Sequence, residues 1–169
     1  MSWFTSSHVE SLQKLFTDSI ACLYDCELRL IDRVPVLATA CRAEELRMAC
    51  DDYADLCRAN SIRLEACFDQ LGLAPDRESA LAMQALIDEA GECVASFSAD
   101  EVCDAALVGA LQAIIHYQMA WYGTTRTHAR FLGHHEVAER LQESLDQAGD
   151  FDRRLTVLAE SGINAQALG

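Results

Sequence analysis

The sequence predicts an all-α fold, a bundle of four long helices with one short helix in the connection between two hairpins. Three observations carry this. Proline occurs twice and glycine eight times in 169 residues, while Ala and Leu recur throughout, a mix that favours long helices over turns. Apolar residues return at alternating steps of three and four along four separate stretches, the spacing of a packed helix face. Nowhere is there sustained alternation or an Asn-Gly turn, so strands have no signature. The length and a hydrophobic content of 51% suit one domain with a sizeable core. It is expected to span 1–169, with the bundle over about 7–160 and a tail over 161–169.

The first helix is expected to open at a capping box, Ser7-His8-Val9-Glu10, and to run to about residue 41. Its seam reads Phe16, Ile20, Leu23, Glu27, Leu30, Val34, Leu37 and Cys41. Every member but Glu27 is apolar, and a charge facing a core is costly unless something meets it. Pro35 removes a backbone donor and predicts a kink near 32–35. The second helix, about 43–71, has the seam Leu46, Ala49, Tyr53, Leu56, Asn60, Leu64, Cys67, Leu71 and stops at Gly72. After an Ala74-Pro75-Asp76 turn, Asp76 is expected to cap a short third helix over about 77–94, with Leu81, Met83, Leu86 and Ile87 as its apolar set. A second capping box, 98–101, opens the fourth helix, which ends at Leu132-Gly133 with the seam Leu107, Leu111, Ile114, Gln118, Trp121, Thr125, His128, Leu132. The fifth, about 135–160, turns Val137, Leu141, Ser144, Ala148, Phe151, Leu155 and Leu158 inward; Gly149 is expected to loosen it, and a frayed tail to follow.

A net charge of −14 argues against a nucleic-acid groove and against docking on anionic lipid. No membrane span is expected, because the longest stretch without Asp, Glu, Lys or Arg, 105–125, carries Gln112, His116, Gln118, Thr124 and Thr125. The N-terminal Met-Ser-Trp-Phe-Thr-Ser-Ser lacks a basic segment followed by an apolar run, so no secretory signal is expected and the expected compartment is the cytoplasm. The eight cysteines form no C-x-x-C pair, which removes zinc-ribbon and thioredoxin readings. Cys22 and Cys26 are one helical turn apart, near neighbours in poor geometry for a relaxed disulfide. Buried small hydrophobes in a reducing compartment is the expectation for most of the set.

Several landmarks together resemble a known family. They include Leu23-Tyr24-Asp25-x-Glu27, Arg63-Leu64-Glu65, Phe68-x-x-Leu71-Gly72, Met83-x-x-Leu86-Ile87 and Asp104-Ala105-Ala106-Leu107. Further along come His116-Tyr117-x-x-Ala120-x-Tyr122-Gly123-Thr124, Leu132-Gly133-His134 and Leu158-Ala159-Glu160-Ser161-x-Ile163-Asn164. In order and spacing the chain resembles the YciE/YciF group of ferritin-like bacterial stress proteins. The resemblance implies a ferritin-like four-helix bundle with a short extra helix in the crossover, and frequent dimer formation. It also implies inward carboxylates and histidines in the manner of di-iron or di-manganese proteins.

Such a centre draws one Glu from each of two helices and a Glu-x-x-His pair from each of the others. This chain contains no Glu-x-x-His and no His-x-x-Glu. Where the resemblance puts ligands, the second helix has Tyr53, Leu56 and Asn60, the fourth has Ile115 and Gln118 around His116, and the fifth has Gln147 and Ala148. Glu27 and Leu56 are 29 residues apart, as are Gln118 and Gln147, which supports treating them as four equivalent places in two hairpins. One Glu, one Leu and two Gln suit a retained bundle with a dismantled metal centre. Gln118, His116, Tyr53 and Asn60 are then the candidates to meet Glu27.

The expected function is therefore a non-catalytic, stress-associated assembly or partner protein, without cofactor. It would act as a homodimer or with a related ferritin-like protein. One rival is an iron or manganese oxidoreductase or storage protein with a site rebuilt from Glu27, His116 and Asp150 or Asp152. Another is a thiol redox sensor. Tyr117, Trp121 and Tyr122 are expected to fill core or line a dimer face, His128 to pack, and His134 and His135 to be solvated.

Overall fold

The structure, a computed structural model, describes residues 11–96 and 101–168. The described residues are helical, with no strand. Helix α1 spans Leu12–Ala38, α2 Glu44–Gln70, α3 Leu81–Ser96, α4 Glu101–Phe131 and α5 His135–Leu158. A π-helical turn, Ala159–Ile163, and a short α6, Asn164–Gln166, follow. The expected capping boxes beginning at Ser7 and Ser98 lie outside the described residues, apart from Glu101 at the start of α4. The described part of α1 is capped by Ser11, whose hydroxyl accepts from the Lys14 amide at 3.1 Å. Pro35 lies within α1, one turn from its end.

In the bundle, α1 packs on α2 and α4, and α5 packs on the same two. Residue pairings give the directions. Tyr24 meets Glu65 and Glu27 meets Asn60, so α1 and α2 are antiparallel. Asp52 meets Arg154 and Arg63 meets Glu143, so α2 and α5 are antiparallel. Gln112 meets Asp152, while Arg126 pairs with Gln142, so α4 and α5 are antiparallel. Hence α2 and α4 run parallel across a diagonal, and the crossover that carries α3 joins them. One long crossover of this kind is the ferritin-like topology.

The α1 seam is buried as its period requires, as is Cys41 just past the helix end, and the α5 seam is buried except for Leu158, which is half-buried. They form two apolar clusters. One contains Leu30, Val34, Tyr53, Leu111 and Phe151; the other contains Phe16, Ile20, Leu64, Tyr122 and Leu141. Between them sit Glu27 of α1, Asn60 of α2 and Gln118 of α4, all buried, the last two hydrogen-bonded to Glu27. The bundle thus has a polar layer through its middle.

Four local expectations are corrected. Residues 77–80 are not helical and α3 begins at Leu81. The cause is Asp25 on α1, whose buried carboxylate accepts from Arg77 Nη2 at 2.6 Å and from the Ala80 amide at 3.0 Å. It holds that segment against α1 and caps α3 from another helix. Leu81 is exposed. Gly149 does not interrupt α5: it is buried in a continuous helix, where a Cβ would stand 3.6 Å from Met119 Cε. The tail expected to fray after 160 stays ordered to Gln166, because Ile163 is buried on the first cluster.

Two turns need glycine. Gly72 (φ 69°) and Gly133 (φ 82°) adopt left-handed backbone, and beyond each a six-to-one bond closes the helix, Leu73 N to Phe68 O at 3.0 Å and His134 N to Ala129 O at 2.9 Å. His134 is not solvated as expected; its ring stacks on Phe16 at 5.5 Å between centroids. The start of α2 has no cap of its own. Asp104 of α4 supplies one, accepting from the amides of Arg42 at 3.0 Å and Ala43 at 2.7 Å.

Candidate functional site

Glu27 is 0% exposed, one turn from Leu23 and one from Leu30. Its Oε1 accepts from Gln118 Nε2 at 2.7 Å, from the Tyr122 hydroxyl at 2.7 Å and, at a long 3.5 Å, from Asn60 Nδ2. Gln118 is oriented in turn: its Oε1 accepts from the Tyr53 hydroxyl at 2.5 Å. Asn60 is oriented by Arg63 Nη1, 2.7 Å from its Oδ1, and Arg63 pairs with Glu143 at 2.8 Å near the surface. Glu27 Oε2 has no hydrogen-bond partner among the described residues.

Every direct donor to this carboxyl is formally neutral. Burial therefore dominates and pushes Glu27 up to about 7, against the lowering effects of Tyr122, the Cys57 thiol alongside, Gln118 and Asn60. Relative to an ordinary 4.5, this corresponds to about 3 kcal/mol of resistance to ionisation. Burial and the Glu27 charge also hold the Tyr122 hydroxyl well above the usual phenol range. The arrangement holds one proton near neutrality within a buried hydrogen-bonded network.

Of the expected candidates to meet Glu27, the structure brings Gln118, Tyr53 and Asn60 together, Tyr53 acting through Gln118. It does not bring His116. That side chain is 64% exposed, its Nε2 3.1 Å from Asp152 Oδ1. The cause is helical phase: Ile115, Gln118 and Tyr122 turn inward, and residue 116, about 200° around from 118, faces out. Glu27, His116 and Asp152 are thus not assembled into one site, and Asp150 is exposed beside Arg153. Ile115 and Ala148 are buried, Leu56 is half-buried against the first apolar cluster, and Gln147 is half-buried with Oε1 unpartnered among the described residues. Among the described residues no three His, Cys, Asp or Glu side chains are grouped so as to hold a metal ion.

Two members of the layer escaped the sequence reading. Tyr122 was expected with Trp121 as filler, and Trp121 was put on the seam; the structure buries Tyr122 and leaves Trp121 half-buried. The available signal was that Tyr122 is four residues from Gln118, on the same helix face. Cys57 carried no signal beyond its burial.

A model of a family described as a domain of unknown function (DUF892) matches residues 11–168. The chain belongs to this family. Protein YciF of Escherichia coli K12 is 31% identical over 161 residues, covering 95% of this chain and 97% of that protein. The crystal structure of the E. coli stress protein YciF superposes with a TM-score of 0.88, at 31% identity, over 92% of this chain and 99% of that one. YcfI of Rhodopseudomonas palustris does so with a TM-score of 0.86, at 25% identity, over 90% and 98%. These two solved structures share the overall fold of this chain, and the fold is the ferritin-like one the sequence predicts. No helix of the described residues is long and apolar enough to cross a membrane.

Proposed function

We propose that this DUF892 protein is a non-catalytic, stress-associated assembly protein in which a neutral hydrogen-bonded layer stands where related bundles carry a di-metal centre. The observation that carries this is the Glu27 environment: one buried carboxylate met by two amides and a phenol. A pair of divalent cations does not fit this donor set. It would face a single anionic oxygen donor group, with neutral amides, which are weak ligands, filling the rest. The outward position of His116 supports the same reading. So does the stress-protein description of the E. coli relative. The layer then acts as a register device, since a buried polar network is satisfied in one alignment of the four helices only. The protein works in the cytoplasm as a homodimer or with a related ferritin-like chain, and needs no cofactor.

The test is elemental analysis of the full chain, purified without chelator and again after incubation with ferrous iron or manganese, alongside sedimentation of the same samples. The expected results are metal far below stoichiometry and a dimer whose mass ignores added metal. Stoichiometric iron or manganese that disappears in Glu27→Ala would overturn the proposal.

A further inference from the structure

Helix α4 packs on α1, α3 and α5, and what it leaves to solvent is one narrow row. Apart from Glu101 and Arg130 at its ends, every exposed residue of α4 falls on that row. It starts at Val102, 43% exposed, and ends at Phe131, 83% exposed. Around the helix these two ends lie within about 20° of each other. No Asp, Glu, Lys or Arg occurs over 105–125, although the chain carries a net charge of −14. Two such acidic chains meet with least repulsion on a face without charges.

The two halves of the row differ in shape. The first half carries Ala106, Gly109 and Ala113, which line a groove of about 150 Å³ against Leu86, Glu89 and Cys93 of α3. The second half carries the larger Thr124, Thr127 and Phe131. Gly109 is the telling member. A glycine inside a helix costs about 1 kcal/mol relative to Ala, and a Cβ there would meet nothing within 4 Å. The fold of the single chain has no use for it, whereas a closely approaching neighbour does.

We propose that this row is the homodimer face, with α4 of a second copy lying antiparallel on it and the twofold axis passing near His116. The inference rests on the homodimer reading above and gives it a surface. In this register Phe131 of one copy meets Val102 of the other, Thr124 meets Gly109, and Ala120 meets Ala113; each pair is equidistant from the midpoint of the row. The larger half of each copy thus covers the hollow half of the other. A parallel pairing would set bulk on bulk and hollow on hollow. His116 is held by Asp152 of α5, 3.1 Å away, so its two copies flank the axis. At the ends, Arg130 of one copy comes within a turn of Glu101 of the other, beside the existing Arg42–Glu101 pair at 3.2 Å. A row of about 44 Å by 10 Å buries on the order of 900 Å² over both copies, and the α3 wall of the groove adds to it. That is the low end for a specific interface, so the dimer is reversible.

Sedimentation equilibrium of the full chain across a concentration series tests this. Gly109→Leu fills open space in the single chain and improves its helix propensity, so the variant should melt no lower than wild type. It should nevertheless weaken dimerisation tenfold or more, because the new side chain strikes Thr124 of the second copy. Ala120→Glu should do the same, and adding Ala113→Arg to it should restore the dimer, because residues 113 and 120 meet across the axis and are two turns apart within one chain. On the unaltered chain, amide NMR shifts that change with concentration should centre on Gly109, Ala113, Ala120 and Thr124. A dimer that survives Gly109→Leu and Ala120→Glu would overturn this face and leave the homodimer standing on another. A double variant no more dimeric than Ala120→Glu would overturn the antiparallel register. A chain that stays monomeric at every concentration would overturn the homodimer itself, while the metal measurement would still decide the nature of the polar layer.

Discussion

Replacing Glu27 by Gln isolates the electrostatics of the polar layer. The amide keeps the shape of the carboxyl, and its oxygen can still accept from Gln118 and Tyr122 as Oε1 does. Its NH2 takes the place of Oε2, which has no partner, and this introduces a pH-independent penalty of about 1–3 kcal/mol. The pH-dependent part has a definite sign. Glu27 is raised from 4.5 in the unfolded chain to about 7 in the folded one. Below 4.5 it is protonated in both states and contributes no loss. Between 4.5 and about 7 the unfolded chain releases the proton while the folded chain retains it, so stability falls as pH rises, and the loss levels off above 7 at about 3 kcal/mol. The variant escapes this loss. Urea denaturation of both proteins at about pH 4.5 and about pH 8 should therefore show the variant gaining about 3 kcal/mol relative to wild type across that range. At an m value of about 2 kcal/mol/M this is a relative midpoint shift of roughly 1.5 M. Other titrating groups are common to both proteins and cancel in the difference. Parallel pH profiles would refute the reasoning, because they would mean that Glu27 ionises as easily in the fold as in the open chain.

Tyr122→Phe removes a donor to Glu27 Oε1 and should raise the Glu27 titration midpoint above about 7 by about one pH unit or more, as followed by carboxyl-carbon NMR. Asp25→Asn weakens the pairs with Arg29 and Arg77 that anchor the crossover; both arginines are partly exposed, so the expected loss is about 2 kcal/mol, with faster hydrogen exchange at Ala80. Burial alone would raise Asp25, but Arg29, the Ala80 amide and Arg77 outweigh it and hold it below 3.8. Its contribution is therefore present above that value and lost as pH falls through the lowered one, opposite in sign to Glu27; a variant as acid-resistant as wild type would contradict this. Asp104→Ala removes the cap on α2 and should cost about 1–2 kcal/mol, with exchange of the Arg42 and Ala43 amides accelerating before that of the α2 interior.

Much of the site was legible and part was not, for identifiable reasons. Glu27 stood out because the period of α1 makes every other seam position apolar. Gln118 and Asn60 could be named because the periods of α4 and α2 turn them inward. His116 was misplaced because a family resemblance, not the period of α4, set its direction; the inward phase belongs to Ile115 and Gln118. The start of α3 was misjudged because Asp76 does accept from the Arg77 amide, a local signal that the distant Asp25 carboxylate overrides. The cap on α2 had no local signal at all, since Asp104 lies more than a hairpin away in sequence.

By itself the sequence determined the helices, their buried seams and a lone anion in the first of them, since propensity and apolar period act within a few turns of chain. Only the tertiary structure decided what meets that anion and where the crossover becomes helix. Those outcomes rest on hydrogen bonds between residues 95 positions apart for Tyr122 and Glu27, and 55 apart for Ala80 and Asp25. No local pattern encodes such pairings; they depend on how each helix is rotated once all four are packed.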